Sequence, residues 1–419
     1  MTQALHSLPP GPHRSSTEAS TLGPALPPRA VVLRAIWTHR EISRADVARL
    51  SGLSRSTVSG IAAELLDGGL VHELRAGQSS GGRRPILLGL VDRARVVLGV
   101  DIGAAHVGVV LTDLRGRILH RDVRRLDARD QAERALGVAV ELGQAALQTT
   151  EAPLLGVGLG LPAPLDPQSL RPHPAILPGW RDVDAIERIR EAFDAPVRAD
   201  NDANLGALAE LWWGAGRGQR NLVFVKVATG VGAGIIIDGR VVAGAHGLAG
   251  ELGHLSIDPN GPPCMCGGNG CLNVLVGTKA LLDRARARLP HFPGSALADG
   301  PLDLPALVRA ALGGDPLARE IMAFAGARLG TGLGNLMNVL DPSVLVLGGE
   351  ITEAGEALLR PVREAVLSRT LTGGEAAADQ KVVRSQADPQ GVALGAATAI
   401  LRAALETFEL PLLGREMNA

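Results

Sequence analysis

The stretch VLGVDIGAAHVGVVLTDLRGRIL, residues 97–119, decides how most of the chain is read. Its first seven residues form an apolar run ending in Asp101-Ile102-Gly103, the pattern of a buried strand that stops at a turn. Residues 107–119 continue as antiparallel strands around a Gly turn. A helix is expected over 128–149, and LLGVGLGL at 154–161 reads as a further buried strand. Hairpin, helix and strand in that order predict a mixed α/β body.

Downstream the pattern repeats. RADNDANLGALAE (198–210) places Asn201 and Asp202 between a strand end and a helix start. A carboxylate there either caps the helix or accepts the proton of an attacking hydroxyl. NLVFVKVATGVGAGIIIDG (221–239) reads as a second hairpin with Thr229 and Gly230 in its turn. DPSVLVLGGE (341–350), after a long helix, is a strand ending in Gly348-Gly349, where a nucleotide could lie close to the backbone. The sequence contains no GxxxxGK[ST], which excludes a P-loop.

All three cysteines fall in HLSIDPNGPPCMCGGNGCLN (254–273). His254-x9-Cys264-x-Cys266-x4-Cys271 offers one imidazole and three thiols, a complete tetrahedral zinc set. Four protein ligands leave no open position, so the expected role is structural. An odd number of cysteines argues against a disulfide framework and fits the cytoplasm. No apolar run reaches the roughly 20 residues a membrane span needs.

The first part of the chain differs in charge. Residues 29–95 hold eleven Arg against six Asp and Glu, a net charge of 11 − 6 = +5, while the whole chain is at −1. In this basic segment RAVVLRAIWTHR (29–40) has helical spacing. Ser43 and Ser54 can each cap a short helix, with Gly52 as the turn between them. The second of these helices presents Arg55, Ser56, Thr57 and Ser59 on a polar face suited to a DNA major groove. Strands at 70–75 and within 86–90, joined by a loop with Arg83 and Arg84, complete a winged helix-turn-helix. The expected partner is double-stranded DNA, read by a homodimer or larger homo-oligomer. Aromatic residues are only 2% of the chain, which disfavours recognition of single strands by stacking. Six prolines in residues 1–28 suggest a disordered tail.

Taken together, the motifs resemble the ROK family (repressors, open reading frames and sugar kinases). They are DIG (101–103), GLGLPAPLD (158–166), LPGW (177–180), NDAN (201–204), TGVGAG (229–234), AGELGH (249–254) and CMCGGNGC (264–271). The resemblance implies a two-lobed actin-like (ribonuclease H-like) sugar-kinase fold over 97–405, preceded by the winged helix at 29–95 and followed by a tail at 406–419. The helix-turn-helix matches the family's regulator branch; the free-standing kinases lack it. The resemblance makes Asp202 the catalytic base of an active member. It makes Asn201, Asp202, Glu251, His254 and Asn273 sugar contacts, with His254 also a zinc ligand. Asp101, Gly103, Thr229, Gly230, Gly348 and Gly349 fall at nucleotide positions. Two departures matter. The kinase pattern DxGxTK reads Asp101-Ile-Gly103-Ala-Ala105-His106 here, and the usual Glu after the last cysteine is Asn273. A mostly neutral His cannot replace a fixed positive charge at a phosphate. The expectation is a sugar- or sugar-phosphate-responsive regulator with a structural zinc, which would use Mg-ATP only if kinase activity survives.

Overall fold

A computed structural model describes residues 26–74, 85–371, 381–387 and 389–407. Arg83, Arg84 and nearly all of the two expected tails lie outside these residues. The chain divides into two compact units: residues up to Leu161 with Pro174–Asp200 and the segment from Ala393 onward, and Pro162–His173 with Asn201–Val392.

The first unit begins with three helices, α1 (Pro28–Thr38), α2 (Arg44–Ser51) and α3 (Arg55–Asp67). Ser43 caps α2 by accepting from Asp46 N–H, and Ser54 caps α3 by accepting from Thr57 N–H. Gly52 ends α2 at φ 70°, a left-handed conformation that favours glycine. Strands β1 (Ile42–Ser43), β2 (Val71–Leu74) and β3 (Leu87–Leu90) pair antiparallel in the order β1-β3-β2. Three helices and this small sheet make the winged helix the sequence predicts.

A five-stranded sheet follows, from β4 (Val96–Ile102), β5 (His106–Asp113), β6 (Ile118–Arg125), β7 (Leu154–Leu161) and β8 (Val197–Asn201), in the order β6-β5-β4-β7-β8. Strand β4 is buried along its whole length, runs antiparallel to β5 and is parallel to β7. Helices α4 (Ala132–Leu147) and α5 (Ala185–Phe193) complete this part.

The second unit contains α6 (Asp202–Trp213), β9 (Leu222–Val227), β10 (Val231–Ile237) and β11 (Arg240–Val241). After the cysteine loop come α7 (Leu272–Val276), α8 (Thr278–Arg288), α9 (Leu304–Leu312) and the 25-residue α10 (Pro316–Leu340). Strand β12 (Val344–Gly348), α11 (Glu356–Leu367) and β13 (Val382–Arg384) follow. Its sheet has the order β11-β10-β9-β12-β13, the same arrangement as the first sheet. One face of β9, through Val223, Val225 and Val227, joins a large core with α10 and α11; the other, through Leu222 and Phe224, packs beside α6.

The last helix, α12 (Gly391–Thr407), lies against β4 and β7 at two glycines. A Cβ on Gly99 or Gly158 would come within 1.9 Å of the carbonyl of Ala393 or Ala396. Contact that close requires glycine. The same helix lines a small apolar cavity of about 20 Å³ with Leu401, Ala404 and Leu405, opposite Leu33 and Trp37 of α1. Trp37 also donates its indole N–H to the Leu114 carbonyl at 2.8 Å. The winged helix is thus seated on the first sheet's unit by burial and by a satisfied indole.

Candidate functional site

On α3, Arg55, Ser56, Thr57 and Ser59 are all exposed, while Val58, Ile61 and Leu65 are buried. The Ser56 and Thr57 hydroxyls each lie 2.8 Å from Ser54 Oγ, so the cap orders the first turn of the polar face. That face combines fixed hydroxyls with one guanidinium, the donor set for phosphates and base edges.

In the β4–β5 turn, Asp101 is buried and His106 Nε2 lies 2.9 Å from its Oδ2. A Cβ on Gly103 would meet the His106 ring at 2.4 Å. The imidazole therefore covers the glycine whose openness would admit a phosphate. Of the expected nucleotide residues, only Asp101 and Gly103 belong to this unit.

The other four meet in the second unit. Gly348 pairs with Lys226 across β12 and β9. Gly349, at φ 98°, lies so close to the Val227 carbonyl that a Cβ would sit 2.2 Å from it. Thr229 and Gly230 form the β9–β10 turn just beyond. This turn is held from outside: Thr278 donates its hydroxyl to Ala228 O at 2.8 Å, and Asn273 Oδ1 accepts from Val231 N–H at 2.6 Å.

The expected sugar residues cluster in the same unit. Asn201 is the N-cap of α6, with Oδ1 accepting from Ala203 N–H at 2.9 Å. Asp202 is the first residue of the helix, and its Oδ2 accepts from Lys226 Nζ at 2.8 Å. Both side chains are largely buried, 16% exposed for Lys226 and 15% for Asp202. Glu251 is close enough to feel that carboxylate: burial and the Asp202 charge push the Glu251 carboxyl up to about 6. His254 follows in a short 3-10 turn (Leu252–His254), with Nε2 4.0 Å from Glu251 Oε2. Asn273 has its carbonyl oxygen committed to Val231, which leaves its amide nitrogen as the group a sugar could meet. Lys226 was not singled out in the sequence, where it stands as one charge in an apolar strand.

His254, Cys264, Cys266 and Cys271 bring their ligand atoms within 4.8 Å of one another. Cys264 Sγ lies 3.5 Å from His254 Nδ1, and Cys266 Sγ lies 3.6 Å from Cys271 Sγ. Tetrahedral zinc bonded to sulfur and imidazole nitrogen sets these edges at about 3.6 and about 3.8 Å, so the group fits such an ion. The unused Nε2 faces a carboxylate, the usual arrangement behind a ligating imidazole. Burial holds the His254 imidazole below its usual value. Burial, aided by the neighbouring thiols, pushes Cys271 up to about 12, while a hydrogen bond with the Gly268 backbone holds Cys266 below the usual thiol range. A bound cation would deprotonate all three thiols.

The ROK family model matches residues 97–403. The xylose repressor of Bacillus subtilis is 32% identical over 345 residues, covering 81% of this chain and 86% of the repressor. A solved ROK family transcriptional regulator, a homologue of the Escherichia coli Mlc protein, superposes with a TM-score of 0.76 at 27% identity, covering 90% of this chain and 96% of the regulator. A ROK family glucokinase from Streptomyces griseus, solved with glucose and AMPPNP, gives a TM-score of 0.65 at 28% identity; it is covered to 98% but spans only 73% of this chain. The body is thus shared with a sugar kinase, and 90% of the chain with a regulator. The family match, the repressor identity and the shared actin-like body place this chain in the ROK family.

Proposed function

We propose that the chain is a sugar-responsive transcriptional repressor of carbohydrate genes, acting on double-stranded operator DNA in the cytoplasm. The observation that carries this reading is the exposed α3 face of a winged helix in the same chain as the Asp202–Glu251–His254 carboxylate and imidazole group. The xylose repressor, similar across 81% of the chain, supports it. Arg55, Ser56, Thr57 and Ser59 are the proposed major-groove contacts, with Arg83 and Arg84 at the wing. Two half-sites would be read by a homodimer. Asn201, Asp202, Glu251, His254 and the Asn273 amide are the proposed sugar contacts.

Zinc held by His254, Cys264, Cys266 and Cys271 would be structural, fixing the imidazole and the loop that leads to Asn273. A sugar shifts DNA binding only by its differential affinity for the DNA-competent and DNA-incompetent states. A typical coupling of about 1–3 kcal/mol would change operator affinity by roughly 5–150-fold. The test is operator binding in the presence of xylose, glucose, fructose, N-acetylglucosamine and their phosphates. Operator binding that shifts with one sugar is expected; no DNA binding under any condition sinks the reading.

A second reading, an ATP-dependent sugar kinase carrying a DNA module, is favoured by the likeness to the Streptomyces griseus glucokinase and by Asp202. His106 over Gly103 and Lys226 on Asp202 weigh against it. Mg-ATP turnover on the scale of ~1–10³ s⁻¹, abolished by Asp202→Asn, would establish it instead.

A further inference from the structure

Lys226 is out of place by ordinary folding logic. Leu222, Phe224 and Lys226 alternate on one face of β9, and the first two belong to the apolar cluster beside α6. A lysine there must leave water, which costs free energy unless the ammonium is paired. Its stem runs between two glycines: Gly232 is its partner on β10 and Gly348 its partner on β12. Neither side chain crowds it, and its ammonium reaches Asp202 at the start of α6. A helix N-terminus is the positive end of the dipole, where a cation is unfavourable and Asp202 alone would be favourable. Helix stability therefore gives no reason for Lys226.

The site's ligand chemistry does. Asp202 and Glu251 are two largely buried carboxylates that repel each other. One ammonium among them leaves the described charged side chains at −2 + 1 = −1, with His254 in the metal group. We propose that Lys226 is a positioning residue of the sugar site: it holds Asp202 by one carboxylate oxygen as a fixed acceptor for a hydroxyl of a neutral, unphosphorylated sugar. The two carboxylates outweigh that ammonium, and the negative charge that remains disfavours a phosphate dianion. Moving a sugar proton onto Asp202 would neutralise the carboxylate and weaken its ion pair with Lys226, so the same bond favours sensing over phosphoryl transfer. This inference rests on the sugar-responsive reading above and narrows it to free sugars.

The experiment uses the full chain and matched probes: glucose with glucose 6-phosphate, and N-acetylglucosamine with N-acetylglucosamine 6-phosphate, with xylose as a further free sugar. Binding is measured by calorimetry for the wild type, Lys226→Met and Lys226→Arg, with metal content and melting as folding controls. The wild type is expected to bind a free sugar and to reject phosphorylated partners by about tenfold or more. Lys226→Met should weaken that sugar by about tenfold or more, and Lys226→Arg should largely restore it, because a charge-assisted bond to Asp202 is lost and regained. Tighter binding of a phosphorylated probe by the wild type, or unchanged free-sugar binding by a folded Lys226→Met, overturns the inference while leaving a sugar-responsive regulator standing. If Lys226→Met does not fold, the wild-type preference and Lys226→Arg still decide. Failure of every probe to bind the wild type instead defeats the sugar-responsive reading, and the inference with it.

Discussion

The two five-stranded sheets share one strand order, and each has a hairpin at the corresponding place, β4–β5 in one unit and β9–β10 in the other. The two turns are built in opposite ways. The first closes on itself: His106 bonds Asp101 and its ring lies against Gly103. The second is held by its neighbours: Asn273 takes the Val231 N–H, and Thr278 donates to Ala228. Equivalent topology thus supports two different uses. A turn filled by its own imidazole has little room for a phosphate, whereas a turn braced from outside keeps its backbone shape independently of its own small residues.

The two hairpins lose their difference most completely when the external brace is removed. Asn273 follows the last cysteine by two residues, so the metal group anchors the segment that holds the second hairpin. Cys266→Ser is expected to abolish stoichiometric zinc and to cost about 4 kcal/mol or more, since losing a structural metal belongs to the severe end of single substitutions. Hydrogen exchange should accelerate at Gly230 and Val231 and stay unchanged in β4 and β5. Unaltered metal content in the variant would refute Cys266 as a ligand. Equal acceleration in both hairpins would refute the separate-brace picture.

A finer cut removes the brace and spares the metal. Asn273→Ala leaves the Val231 N–H without its 2.6 Å acceptor. A half-buried donor stranded in this way costs about 1–3 kcal/mol, to be read as a lowered melting temperature with full zinc content. No change in melting would show that the turn does not depend on Asn273.

These residues also mark what a sequence can disclose. The winged helix was legible because its signals are local: Ser43 and Ser54 cap within three residues, and Gly52 turns the chain between the helices. The metal group was legible because its ligand types and spacing lie in one short segment. Lys226 was not, because its meaning comes from Asp202, 24 residues away on another element. Asn273 was read as a sugar contact from its place after the last cysteine, but folding commits its carbonyl oxygen to a strand 42 residues away. His106 could be read only as a missing lysine; that its ring covers Gly103 depends on the hairpin's three-dimensional turn.

The smallest expected effect tests the self-closed turn. The His106 side chain is 34% exposed, so its bond to the buried Asp101 competes with water on one side only. His106→Ala opens the solvent-facing side of that bond, where water can take the imidazole's place on Asp101, so it should cost only about 0.5–1.5 kcal/mol and should leave exchange at Val231 unchanged. It should also bring no ATP turnover, because the fixed cation of the kinase pattern is still missing and Asp202 is still engaged by Lys226. Turnover gained by this substitution alone would mean that the imidazole is the sole barrier to nucleotide chemistry. The difference between the two hairpins would then be a block on a kinase, and the first turn, not Lys226, would set sensing apart from phosphoryl transfer.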